Sequence, residues 1–484
     1  MRLTSQQSLE AKGAYERGVA AQSAGNLSEA MREWRCALAL NPQHENARYN
    51  LAVALSLIKD IKNAEEHYEK LIVLNQTHRE GLFNLANLLY RQERVGEAAA
   101  LYERLIKAHP DYVAGWINLA KSRSDRGDFE AAEPMLRKAL HIEPQHVVAH
   151  WNLSHVLLAQ GKWAEAWGEY EWRLRLPHWL KPPVAAPAWH KGSKAQRILL
   201  WNDQGIGDAI QFLRYPRFLS AMGREVWVLV QDNLKTLAAT AEGVAGVLGP
   251  SDPLPEFDAQ APILSLPHLL SMPEPVGGTA YLKKAPLPPL GGRGVGVREA
   301  VGVYNFHAPP HPNPLPPSGG RGNPVSLEIT KSQGRKAVGL VWAGNQNFEK
   351  DSRRSAPLGD LLPLFDTTGI DWFSLQFGSA AAQIRQNNLS DRVIDLSPRL
   401  HDFADTAAAL SALDLVICID SSVAHLAGAL NIPCWLMLPT ATDWRWQGQS
   451  ATTPWYPSLR IFRQQTAGDW RGLASMIANE LLSF

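Results

Sequence analysis

Alanines stand at Ala30, Ala64, Ala98, Ala132 and Ala166, each 34 residues after the one before. A period of that length constrains the fold more than any other feature of the chain, because it requires one supersecondary unit to recur and stack. Four residues beyond each alanine comes a bulky side chain: Trp34, Tyr68, Tyr102, Leu136 and Tyr170. Twelve residues beyond come Pro42, Gln76, Pro110 and Pro144, while Gly25, Gly127 and Gly161 sit five before. Two helices approach closely only where a side chain is small, and a large residue one turn later fills the gap beside it. Proline then ends the second helix. The spacing predicts five helical hairpins.

The pattern resembles the tetratricopeptide repeat (TPR) over residues 11–180. That resemblance implies a solenoid with a concave groove and a protein or peptide as partner, and no side chain in the repeats fixes which. The fifth unit departs after Tyr170: Glu171-Trp172-Arg173-Leu174-Arg175 leads into Pro177, and His178 replaces the terminal proline. This predicts a capping helix docked onto the domain C-terminal to it. Residues 181–196, rich in proline and tryptophan, read as an extended linker.

At 484 residues there is room for two or three full cores. The net charge is +1, from 48 basic and 47 acidic side chains, which gives no electrostatic case for nucleic acid or an anionic membrane. Cys36, Cys418 and Cys434 are too few and scattered for a disulfide framework. No apolar run reaches membrane-spanning length and the N-terminus has no signal-peptide core, so a cytoplasmic protein without an integral membrane segment is expected.

From Arg197 the pattern changes to alternating strands and helices. RILLW is followed by Asn202-Asp203-Gln204-Gly205-Ile206-Gly207-Asp208 and a helical stretch, a Rossmann-like opening that lacks the full dinucleotide fingerprint. Gly205 and Gly207 permit close ligand approach, and Asp208 faces the same loop or simply charges the helix start. Further strands are expected at 225–230 and 261–266, with a helix and an apolar turn over 234–248, completing a half at 197–283. Residues 284–336 carry PLPPLGGRG and then PLPPSGGRG, too rich in proline and glycine for a packed core, which predicts a disordered insertion.

A second half, 337–484, has expected strands at 337–342, 371–375, 393–396, 414–419 and 433–438. Their carboxyl ends carry Gly344 and Asn345, Gln376, Asp420-Ser421-Ser422 and Thr440, with Arg353 and Arg354 in a nearby loop. In a parallel sheet these would line one crevice, where arginine suits a diphosphate. Asp420 to Leu430 reads as a helix start suited to phosphate, with His425 in its first turn; the alternative is that Asp420 and Ser421 only cap the helix. Asp443-Trp444-Arg445-Trp446 and Pro454-Trp455-Tyr456-Pro457 suit a base or sugar ring, or cover the end of the sheet.

GIGDAIQF at 205–212, GLVWAGN at 339–345 and DSSVAHLAGAL at 420–430 resemble GT-B glycosyltransferases, in particular ADP-heptose:lipopolysaccharide heptosyltransferases and, more distantly, O-linked N-acetylglucosamine transferases. The resemblance implies an α + α/β architecture: a TPR α-solenoid followed by a GT-B core of two Rossmann-like halves. It further implies an inverting, metal-independent transfer from a nucleotide-sugar donor, with no cofactor. Asp208 would then be the catalytic base. Gly205, Gly207, Gly344, Asn345, Arg353, Arg354, Gln376, Asp420, Ser421, Ser422, His425 and Thr440 would surround the donor. A non-catalytic scaffold with a degenerate GT-B domain is the alternative, and an epimerase fits the two half-domains less well.

Overall fold

The computed structural model describes residues 4–284, 329, 331–344, 351–446 and 448–484. Asn345 and all but the ends of the 284–336 insertion lie outside them. The chain forms two compact units, Met1–Val156 and Leu157–Phe484. Among the described residues no helix is long and apolar enough to cross a membrane.

In the first unit helices alternate as antiparallel pairs: α1 (Ser5–Ser23) with α2 (Leu27–Leu40), α3 (Glu45–Leu57) with α4 (Ile61–Leu74), α5 (Arg79–Arg91) with α6 (Val95–Ala108), and α7 (Val113–Ser124) with α8 (Phe129–Ile142). α9 (Val147–Ala159) follows. The periodic alanines Ala30, Ala64, Ala98 and Ala132 are fully buried, and the bulky residues four positions on are at most 2% exposed. The largest of these, Trp34, meets Gly18 of α1, where an added Cβ would stand 2.4 Å from the indole nitrogen. The volume is matched across the pair, and a glycine that costs helix stability is retained for contact.

The turn position of each pair has positive φ: Gly25 (78°), Lys59 (63°), Glu93 (63°), Gly127 (78°) and Gly161 (74°). The fold therefore imposes a left-handed residue every 34 positions, and two repeats bear it without glycine.

Histidines cap α3, α5 and α9, whereas Tyr112 at the start of α7 provides no side-chain cap. His44 Nδ1 accepts the Ala47 N–H at 3.3 Å, His78 that of Gly81 at 3.1 Å, and His146 that of Ala149 at 3.2 Å. An imidazole can accept there only when unprotonated. Burial lowers the pKa of His44 from its ordinary 6.5, opposed by a backbone hydrogen bond. A lowered folded value means the cap contributes fully above pH 6.5 and is lost as pH falls below it. His44→Ala should cost ~0.5–1 kcal/mol at pH 8. Hydrogen exchange resolved by peptide across α3 should show that cost shrinking as pH falls below 6.5 through the lowered folded value.

The second unit contains α10 (Trp163–Tyr170) and two all-parallel sheets. The smaller sheet comprises β1 (Arg197–Trp201), β2 (Glu225–Leu229), β3 (Gly246–Leu248) and β4 (Ala259–Pro262) in the order β3-β2-β1-β4. The larger comprises β5 (Lys336–Val341), β6 (Ile370–Ser374), β7 (Val393–Asp395), β8 (Leu415–Ile419), β9 (Cys434–Leu438) and β10 (Leu459–Arg463), ordered β10-β9-β8-β5-β6-β7. Its longer helices after α10 are α11 (Ile206–Phe212), α12 (Phe403–Leu410), α13 (Ser422–Ala429) and α14 (Trp470–Leu481), of which α11 and α13 bear on the site.

Two expectations in the first half need correcting. The apolar run 261–266 is strand only to Pro262; from Ile263 it turns helical. A short buried apolar run reads alike in either state. Within 234–248 only Lys235–Ala238 is α-helix, and Gly246–Leu248 is a strand packed under the Trp227 ring.

Candidate functional site

In the larger sheet the chain runs outward from β5 to β7, returns to β8 beside β5, and runs outward again to β10. The order thus reverses between β5 and β8, and the carboxyl ends of such a strand pair open a crevice where ligands bind. β5 leads there to Trp342-Ala343-Gly344, and β8 to Asp420-Ser421-Ser422. A Cβ at Gly344 would lie 2.5 Å from Asp351 Oδ1 and 2.9 Å from the Arg354 guanidinium, so glycine lets these two side chains close over the loop. Arg354 donates to Asp351 Oδ1 at 3.0 Å and to the Asp420 carbonyl at 3.2 Å, joining the two loops. Arg353 is half-buried on the same turn, and Thr440, beyond β9, is exposed.

Gln376 lies beneath this crevice. Its Oε1 accepts the Trp342 and Ala343 N–H groups at 3.0 and 2.8 Å, and its Nε2 donates to the Ala343 and Phe377 carbonyls at 3.0 Å each. All four bonding positions of the amide are taken by backbone. Gln376 thus shapes the loop from below.

Neither Asp420 nor Ser421 caps α13: the helix start has no side-chain cap. The Ser421 Oγ is buried without a hydrogen-bond partner. Together these exclude the reading in which Asp420 and Ser421 serve only as caps. Burial and then Asp443 push the Asp420 carboxyl up to about 6, against the pull of Arg354 and Arg445. His425 is not at the surface of the crevice. It is 5% exposed, stacks on Trp446 at 5.2 Å, and shares a 2.9 Å hydrogen bond with the Tyr456 hydroxyl. Burial first, then Arg445 and Arg214, hold its pKa well below the usual value, so the ring is neutral. Gly207 makes room for it, since a Cβ there would lie 2.9 Å from the imidazole. That is how α11 of the first half meets α13 of the second.

Asp208 stands in the first turn of α11, with its side chain 20% exposed. Its Oδ2 accepts the Gly205 N–H at 3.0 Å, and its Oδ1 is ion-paired with Arg445. Burial raises its pKa, Arg445 opposes that, and Asp443 adds to it. The aromatic residues on either side of Arg445 form core: Trp444, Trp446, Trp455 and Tyr456 are each at most 3% exposed. Their faces are spent on one another and on His425 and Arg214, which leaves none for a base or sugar ring.

Sequence reasoning missed a second cluster. The smaller sheet reverses between β1 and β4, and there Arg173, fully buried, donates to Asp203 Oδ2 and to Ser265 Oγ, both at 2.8 Å. Trp179 Nε1 donates to the same Asp203 oxygen at 3.1 Å. The chain's own 170–179 segment therefore bridges the ends of β1 and β4.

Models of the tetratricopeptide repeat match residues 15–78, 79–122 and 124–166, so the N-terminal region carries tetratricopeptide repeats. Across more of its length the chain is similar to Protein FlbA of Caulobacter vibrioides, at 25% identity over 385 residues, covering 75% of this chain and 60% of that protein. The chain thus spans about three fifths of the length of this relative. Among solved structures it resembles MamA (20% identity, TM-score 0.31, covering 33% of this chain and 92% of that one). It also resembles YrrB, described as a TPR protein with an unusual peptide-binding site (14%, TM-score 0.32, covering 36% and 88%).

Proposed function

We propose that the second unit is a glycosyltransferase of GT-B type. It binds a nucleotide-diphosphate sugar at the carboxyl ends of β5 and β8 and passes the sugar to an acceptor recruited by the repeats, a protein or peptide. The observation that carries this reading is the uncapped start of α13 at the β5–β8 reversal, with the buried Ser421 hydroxyl lacking a partner beside it. Free N–H groups and the positive end of a helix dipole suit a diphosphate. In the reaction Asp208 accepts the proton of the acceptor hydroxyl as its oxygen bonds to the sugar's anomeric carbon. The bond to the diphosphate breaks, and the departing charge is stabilised at the α13 start.

Thermal shift against nucleoside diphosphates and nucleotide sugars tests the binding step, because a ligand of the folded state raises the melting temperature. Ser421→Ala is the informative variant. Removing an unpartnered buried hydroxyl should leave the unliganded protein as stable as before or slightly more so. The nucleotide-induced rise should shrink, the helix N–H groups being left to hold the diphosphate. A rise unchanged in Ser421→Ala places the nucleotide elsewhere.

One observation favours the scaffold reading instead. Asp208 is committed to Arg445 and to the Gly205 N–H, as a purely structural carboxylate would be. A non-catalytic unit would show no transfer with any donor while the repeats still bind their partner.

A further inference from the structure

We propose that Arg445 is the positioning residue for Asp208, holding its carboxylate ionised and aimed from the opposite half of the unit. This rests on the reading of Asp208 as the base. Arg445 lies beyond β9 in the second half, yet its guanidinium reaches α11 in the first. Nη2 pairs with Asp208, Nε donates to Gln211 Oε1 at 2.6 Å, and Nη1 donates to Asp443 Oδ1 at 2.7 Å. The guanidinium also packs 4.1 Å from the centre of the Trp444 ring. Four directions of contact fix the fork in place, and Thr453 Oγ1 ties the Arg445 carbonyl at 2.9 Å. Gln211 is one turn beyond Asp208 on α11 and fully buried, so the arginine grips that helix at two points.

The charges facing Asp208 make this grip consequential. From its own side come Asp203 and the Tyr170 hydroxyl; from the second half come Asp443, the neutral His425 and Arg445. The cation among them is Arg445. Burial and two neighbouring carboxylates favour protonation of Asp208, which would abolish a base. Burial also works against the charge on Arg445, but Asp443 and Asp208 outweigh it and keep the guanidinium protonated. Because the pair spans the two halves, the base is in its working state only while they are apposed.

The test uses the full chain with ¹³C-carboxyl-labelled aspartate, Asp208 being assigned by Asp208→Asn. In Arg445→Gln the titration midpoint of Asp208 should rise by about 1–3 in pH, and Arg445→Lys should restore most of it. The acid limb of kcat/KM, read as nucleoside-diphosphate release from a nucleotide-sugar panel, should move by the same amount. A loss of packing alone would not move either. Should Arg445→Gln fail to fold, Arg445→Lys carries the test: its weaker grip predicts a smaller rise with the fold kept. An unmoved midpoint in a folded variant overturns the role of Arg445, whatever the activity. A moved midpoint in a chain inert toward every donor refutes the transferase reading and reduces the contact to a structural ion pair.

Discussion

Trp167→Ala should destabilise the second unit by about 3–5 kcal/mol, a large part of the 5–15 kcal/mol typical of a domain. Trp167 is 1% exposed and stands at the centre of an aromatic cluster. Its ring meets those of Tyr170 at 5.4 Å, Phe212 at 5.9 Å and Trp444 at 5.8 Å, each edge to face. Its Nε1 donates to the Pro273 carbonyl at 2.9 Å. Those partners come from α10, from α11, from the loop beyond β9 and from the segment after β4, so one indole joins four pieces of the unit. Truncation leaves a cavity and strips Pro273 of its donor. Because a two-unit chain does not melt as one transition, hydrogen exchange resolved by peptide is the suitable measurement. Protection should fall across β1, α11 and β9 and stay unchanged across α1–α6. Loss confined to the repeats would show that α10 belongs energetically to them.

Much of this architecture could be read from the residues, and the gaps have physical causes. The 34-residue period locates every repeat helix because stacking forces the same small-against-large contact each time. The left-handed turns at Lys59 and Glu93 were hidden, since only three of the five positions use glycine. Continuous apolar runs exposed β1, β2, β5, β6, β8 and β9. β3 is three residues long, and β10 alternates charge with apolar side chains at an edge, so neither stands out.

Loops at strand ends gave Gly344, Asp420 and Ser421 their place at the β5–β8 crevice, because small and polar residues collect where the backbone must leave the sheet. Gln376 and His425 were misleading for the opposite reason: their polarity serves buried bonds. Arg445 stands out among its aromatic neighbours, but nothing near it in the chain ties it to Asp208. The two are 237 positions apart, and no local pattern encodes an ion pair at that separation. The Arg173–Asp203 pair escaped notice in the same way.

The second large effect concerns Asp208. On the proposed reading Asp208→Asn should reduce transfer by about 10²–10⁴-fold, the usual contribution of a positioned base. The side chain is isosteric and Asp443 still pairs with Arg445, but an amide has one oxygen for two donors, the Gly205 N–H and Arg445, so some loss of stability accompanies the change and transfer is compared at a temperature where both proteins are folded. Donor affinity should hold, since the diphosphate is gripped across the crevice at Ser421 and the α13 start. The loss therefore belongs in kcat with the donor's KM little changed, the signature of an interaction made in the transition state. The decisive measurement is nucleoside-diphosphate release from a nucleotide-sugar panel, wild type beside Asp208→Asn, with the candidate acceptor present. Release by the wild type that collapses in the variant, at unchanged nucleotide binding, is the predicted result. Equal release from both, or none from a wild type that binds nucleotide, would contradict the account and leave the second unit a binding module.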